Sequence, residues 1–232
     1  KEKYGGGTMP CDINGRELLI FKDENELKVK LGRFISDSLY KTRQVAMSWI
    51  SAAKDNHCKS SSEIEIFAKG EIWSAAPVNS NFVIEYHVKI HELPKDKSNP
   101  DVRLYLCDKP SGYPRVVTIF PWEKTQREPP KYECHIDYFR SPPPIDGERL
   151  QQVAVGPPDF DRVKDFDVFI SCCWPNLVFE SNFFEDKVTR LYVSLSDFRT
   201  RGYPIHLAQY IGFESINCRA TIDNIKVKEV LI

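Results

Sequence analysis

The stretch Ala208-Gln209-Tyr210-Ile211-Gly212-Phe213-Glu214-Ser215, followed by Ala220-Thr221-Ile222-Asp223-Asn224-Ile225-Lys226-Val227 and running on to Ile232, decides the fold. Both halves have the β-patterned, alternating character of half-buried strands. A short polar link joins them, so they read as antiparallel strands that close a sandwich core. Asp223-Asn224 stands ahead of the alternating segment, where such a pair marks a bulge or the start of a strand rather than a ligand site.

The same pattern recurs upstream. In Phe82–Ile90, Phe82, Ile84, Tyr86, Val88 and Ile90 share one face while Glu85, His87 and Lys89 share the other. Val102–Cys107, Arg115–Phe120, Lys131–Phe139, Phe166–Trp174, Val188–Leu195 and Thr221–Val230 repeat it less regularly. Pro/Gly/Asp clusters at Pro94–Pro100, Lys109–Pro114, Ser141–Gly147 and Gly156–Asp161 punctuate the runs. One segment departs from the pattern. Asp37–Asn56 sets Ala46, Trp49, Ile50 and Ala53 at helical spacing behind a capping Asp37, which predicts one short helix. Strands separated by turns, without regular strand–helix alternation, predict an all-β antiparallel β-sandwich carrying that helix. No repeat or long linker interrupts the chain, so residues 1–232 read as a single domain.

Composition narrows the function classes. A chain of 232 residues with 41% hydrophobic and 28% charged residues is globular in character and large enough for its own core. Lys and Arg number 32 against 33 Asp and Glu, so no basic excess draws the chain to phosphate, and nucleic acid is not an expected partner. No apolar run is long enough for a membrane span. Lys1–Gly7 lacks the apolar region of a signal peptide. Seven cysteines cannot all pair within one chain. Five sit in strand-like runs as small hydrophobes do, while two or three disulfides with one spare thiol would suit an extracellular protein. The first expectation is an extracellular or secreted location, with a cytoplasmic one left open. No cofactor and no metal are expected. Asp159, Asp161, Asp165 and Asp167 lack the glycine of a dedicated calcium loop and read as solvated.

Tyr210-Ile211-Gly212-Phe213, followed downstream by Ile222-Asp223-Asn224-Ile225-Lys226-Val227, resembles the closing strands of concanavalin A-like jelly rolls, including the laminin-G-like and bacterial glucanase-like sandwiches. Phe82–Ile90 followed by Val102–Cys107 resembles their long central strands. The resemblance implies a sandwich of jelly-roll type. It also implies a family of lectins, glycan-cleaving hydrolases and lyases, and plain interaction modules, among which fold does not choose.

Glucanases of this kind carry Glu-x-Asp-x-x-Glu or its bulged form on one strand, because acid and nucleophile must share a face about 5–5.5 Å apart. Glu63-Ile64-Glu65 offers two carboxylates, but Lys69 occupies a later position on that face. In Glu133-Cys134-His135-Ile136-Asp137, alternation puts Glu133, His135 and Asp137 together, a histidine between two carboxylates suited to acid–base work. A solvated face of complementary charges explains the same row. Three aromatics give the other signal: Tyr113 in Lys109–Pro114, Trp122 in Phe120-Pro121-Trp122, and Trp174 ahead of Pro175. Such rings can stack on a sugar's C–H face, seed a protein interface, or cap the core. Trp49 and Trp73 read as core residues.

The leading expectation is therefore a carbohydrate-recognition module using the loop aromatics Tyr113, Trp122 and Trp174. The alternatives are a glycan-cleaving enzyme using Glu133, His135 and Asp137, and a protein-interaction domain. The expected partner is a glycan or a protein surface.

Overall fold

A computed structural model of the chain describes residues 41–51, 56–67, 70–92, 101–113, 115–123, 132–139, 147–155, 165–173, 176–184, 187–194 and 208–231. These residues form two antiparallel sheets. The first runs β14 (Lys187–Ser194), β13 (Asn176–Phe184), β12 (Asp165–Cys173), β7 (Phe82–Glu92), β16 (Arg219–Leu231), β4 (Glu63–Ile66) and β3 (His57–Ser60), with β1 (Lys41–Val45) also pairing β16. The second runs β11 (Gly147–Val155), β10 (Tyr132–Phe139), β9 (Arg115–Glu123), β8 (Asp101–Cys107), β15 (Ala208–Ile216), β5 (Gly70–Ser74) and β2 (Trp49–Ser51), with β6 (Val78–Asn79) also on β15. Two compact units divide the chain. Gln44–Glu229 holds the sandwich, and Lys1–Arg43 with Val230–Ile232 forms the other, described only at the start of β1 and the end of β16.

Alternation builds the core. Phe82, Ile84, Tyr86, Val88 and Ile90 of β7 are all buried, as their spacing predicts, and they meet Leu104, Leu106, Ile136, Ile211 and Phe213 of the second sheet in one apolar cluster. Tyr86 packs edge-on against Phe213, with ring centroids 5.1 Å apart. The two closing runs of the chain are the two central strands. β15 lies between β8 and β5, and β16 lies between β7 and β4. The β16–β7 register shifts between Asp223 and Lys226, and Asn224 adopts φ 53°, so the Asp-Asn pair sits in a bulge.

The short helix is corrected. Within Asp37–Asn56 the described residues form β1 and β2 instead, and no helix occurs among the described residues. Burial there has a period of two. Val45, Met47 and Trp49 turn toward the core, while Ala46, Ser48 and Ile50 are exposed. Counting Ala46 and Ile50 as core residues produced the apparent helical spacing. Ladder hydrogen bonds to β5 and β16, together with Trp49 packing 5.5 Å from the Phe213 ring, outweigh a weak local propensity. Among the described residues, no helix is long and apolar enough to cross a membrane.

Candidate functional site

Strand alternation gives the second sheet a face turned away from the core, and that face is unusually rich in aromatic and charged groups. Ile72 of β5 and Leu104 and Leu106 of β8 enter the main core, so Trp73, Tyr105 and Cys107 point the other way. There they form a smaller cluster with Val117, flanked by Phe139 and Tyr210. Register aligns the face into rows. Trp73, Gly212, Tyr105, Val117 and Asp137 lie opposite one another in turn across β5, β15, β8, β9 and β10. The next row holds Glu71, Glu214, Arg103, Ile119 and His135.

Gly212 makes the first row close-packed. A Cβ placed there would lie 2.7 Å from Trp73 Cε3, so only glycine lets the indole lie across β15. Trp73 is thereby stacked on Tyr105, with centroids 5.8 Å apart and planes 21° from parallel. The indole Nε1 donates to Glu71 Oε2 at 2.9 Å, and Ser111 Oγ donates to the same oxygen at 2.7 Å. Arg115 Nη1 donates to Glu71 Oε1 at 2.8 Å. The Arg115 guanidinium lies between two rings, 4.3 Å from the Tyr105 centroid and 4.2 Å from that of Tyr113, and Nη2 donates to the Tyr113 hydroxyl. The Tyr105 hydroxyl donates to Glu214 Oε2, and Arg103 clamps Asp101 with Nε and Nη2 at 3.0 and 2.9 Å.

The two facing glutamates hold their protons differently. Burial pushes the Glu71 carboxyl up, but hydrogen bonds from Arg115, Ser111 and Trp73 outweigh it and hold the group below the usual carboxylate range. Burial dominates at Glu214. Its carboxyl lies above the usual range despite the Tyr105 hydroxyl and Arg103, with Glu71 adding to the rise. Asp101 is also raised by burial, against the pull of Arg103.

The residues singled out from sequence are distributed as follows. Tyr113 is half-buried at the edge of this array, with Arg115 against its ring. His135 and Asp137 lie on the same face of β10, both buried, with Nε2 3.3 Å from Asp137 Oδ2. Glu133 and Trp122 hold opposing register positions on β10 and β9. Trp174 lies outside the described residues, as do Asp159 and Asp161. Asp165 and Asp167 stand on β12 of the other sheet, where each bonds one ring nitrogen of His87, at 3.1 and 2.9 Å. Among the described residues, no three His, Cys, Asp or Glu side chains are arranged to hold a metal ion. Glu71, Arg103, Arg115 and Glu214 escaped the sequence reading because the array gathers them from strands distant in the chain. Trp73 is buried, as read, but on the outer face of the second sheet. The outward phase of Arg103-Tyr105 beside inward Leu104 and Leu106 was the one signal available.

No protein-family model matches the chain, and no curated protein matches it. Solved structures do. The exoplasmic/lumenal domain of VIP36 in a Ca2+/Man3GlcNAc-bound form superposes with a TM-score of 0.52 at 11% identity, covering 81% of this chain and 87% of that one. A legume lectin-like domain from Entamoeba histolytica gives 0.52 at 10% identity over 79% and 90% of the two chains. Basic winged bean lectin with Tn-antigen gives 0.50 at 12% identity over 82% and 99%. Two antiparallel sheets with the strand pairing described, matched to these structures along most of their lengths, establish that the chain folds as a concanavalin A-like jelly-roll sandwich.

Proposed function

We propose that the protein is a carbohydrate-recognition module that reads a glycan with Tyr113, at the rim of the second sheet's outer face, and with Trp122 and Trp174 as further loop or strand-end platforms. One observation carries this reading. The half-buried Tyr113 ring is fixed at that rim by Arg115, which is itself buried between Tyr105 and Tyr113 and hydrogen-bonded to Glu71. Sugars present apolar C–H faces and rigid pairs of hydroxyls, and fixed aromatic rings beside pre-oriented planar polar groups suit both. Support also comes from the fold shared with a VIP36 domain bound to Man3GlcNAc and a lectin bound to Tn-antigen. A secreted or lumenal location accords with such a role.

A glycan array combined with tryptophan-fluorescence titration tests the reading. At least one glycan is expected to bind saturably. Arg115→Lys, which keeps the charge but not the bidentate plane, should weaken it about tenfold, or 1.4 kcal/mol. Tyr113→Ala should weaken it as well, with circular dichroism unchanged. Absence of any saturable glycan, or unchanged affinity in both variants, would reject the assignment.

A second reading, glycan cleavage by Glu133, His135 and Asp137, is supported by the His135–Asp137 contact on that same face. It requires that Glu133→Gln and Asp137→Asn abolish turnover of a polysaccharide without lowering the melting temperature.

A further inference from the structure

A cavity of about 490 Å³ opens beside β1, the β3–β4 turn and β16, and shares no residue with the aromatic array. Its size falls within the roughly 300–1,000 Å³ usual for small-molecule sites. The floor is apolar, from Met47 and Ile225, both buried. The rim is polar, from Gln44, Ser62 and Asn224, and among the described residues Lys226 is the one charged residue in the lining. Among the described residues no carboxylate is in the lining, and that of Asp223, adjacent in β16, is taken up by the Asn224 amide.

The walls are tied together. Ile225 N donates to the Ser62 carbonyl at 3.1 Å, joining β16 to the β3–β4 turn. Ser62 N donates to Ser60 Oγ at 3.2 Å, closing that turn, and Trp49 Nε1 donates to the Ser61 carbonyl at 2.9 Å, fastening β2 to it. Asn224 occupies the left-handed region at φ 53° in the β16 bulge, and its amide nitrogen donates to Asp223 Oδ1 at 2.7 Å. A non-glycine residue held there is costly unless its surroundings fix it, and bulges of this kind re-aim side chains at functional places. The cavity is therefore a concavity with an apolar floor, amide and hydroxyl residues in its rim, and one lysine in its lining.

We infer that this cavity is a ligand site for a single saccharide unit bearing one carboxylate, a hexuronate in chemical class. The ring would lie over Met47 and Ile225, its hydroxyls would meet Ser62, Gln44 and Asn224, and its carboxylate would meet Lys226. A charge-assisted contact is about twice as strong as a neutral one, so the acid is preferred over the corresponding neutral sugar. This site goes beyond the outer-face reading and does not depend on it.

Saturation-transfer NMR titrations of the full chain with D-glucuronate and D-glucose test the inference. Glucuronate is expected to saturate at millimolar concentration and to bind at least tenfold more tightly than glucose. Lys226→Ala should remove that preference, and Ala46→Trp, at the exposed lip, should abolish binding of both. If Ala46→Trp fails to fold, Lys226→Ala alone decides. Equal binding of the two sugars, no saturable glucuronate signal, or an unaltered preference in Lys226→Ala would each overturn the assignment.

Discussion

At Gly212 a single hydrogen atom decides how three strands meet. The Trp73 ring lies where a Cβ would be, so Gly212→Ala must displace an indole that is also stacked on Tyr105 and bonded to Glu71. Overpacking of this kind costs about 1–3 kcal/mol. For a chain of this length that lowers Tm by about 2–4 °C per kcal/mol. In a Trp73→Leu background the penalty should nearly vanish, and a double-mutant thermal-melt cycle reads the coupling. One row away, Glu71 and Glu214 face each other across β5 and β15 with opposite dependence on pH. The folded pKa of Glu71 is lowered, so its contribution is present above the unfolded value near ~4.3 and is lost as pH falls. The folded pKa of Glu214 is raised, so its contribution is present below that value and is lost as pH rises through the folded one. Melting temperatures of Glu71→Gln and Glu214→Gln, taken from pH 3 to 8 in steps of about half a unit around these ranges, should therefore diverge from wild type in opposite directions. Glu71→Gln should be the worse at neutral pH, by about 1–3 kcal/mol. Curves of the same sign would remove the electrostatic account of the array.

Among the elements, β2 is the most exposed to chance. It has three residues, sits at the edge of the described second sheet, and presents Ile50 at 57% exposure, the one large hydrophobic so exposed among the described residues. Edge strands with apolar side chains invite pairing with other chains. Ile50→Lys is expected to lower light scattering on concentration while leaving Tm within the small range of surface substitutions, about 0.5 kcal/mol. A large fall in Tm would show that Ile50 is packed in solution. The same segment marks the limit of what could be read from sequence. β7 was legible because Phe82, Ile84, Tyr86, Val88 and Ile90 all enter the core while Glu85, His87 and Lys89 share the opposite face, with Val83 the one apolar residue out of phase. Val45–Trp49 was not, because exposed Ala46 and Ile50 mimic core residues and the deciding contact, Trp49 on Phe213, spans most of the chain. The array was illegible for a related reason. Its glutamates and arginines become neighbours only through register, and the local signals were two: the outward phase of Arg103-Tyr105, and Tyr113 as an aromatic ring in a proline-flanked turn.

For the molecule as a whole, thiols report on integrity. Cys58, Cys172, Cys173 and Cys218 are free thiols, and of these Cys172 and Cys218 are buried. Burial pushes the Cys172 and Cys218 thiols up to about 12, which makes them poor nucleophiles at neutral pH. Iodoacetamide followed by mass spectrometry should therefore label Cys58 first among the described cysteines of the native protein. Cys172 and Cys218 should react only at the rate of global opening. Early labelling of Cys218 would mean that β16 leaves the sheet well below the unfolding transition.

The central placement of β15 and β16 has a consequence for how the protein is made. A ribosome releases the chain from its amino end, yet the strands that join β8 to β5 and β7 to β4 emerge after all the other described strands. Until then each sheet is two half-sheets with open inner edges. Tyr105 must also wait for an acceptor 109 residues further along. Contacts of such sequence separation slow folding. A nascent chain stalled before Ala208 lacks Gly212, so the Trp73–Gly212–Tyr105 row of the outer face can close only once β15 has emerged.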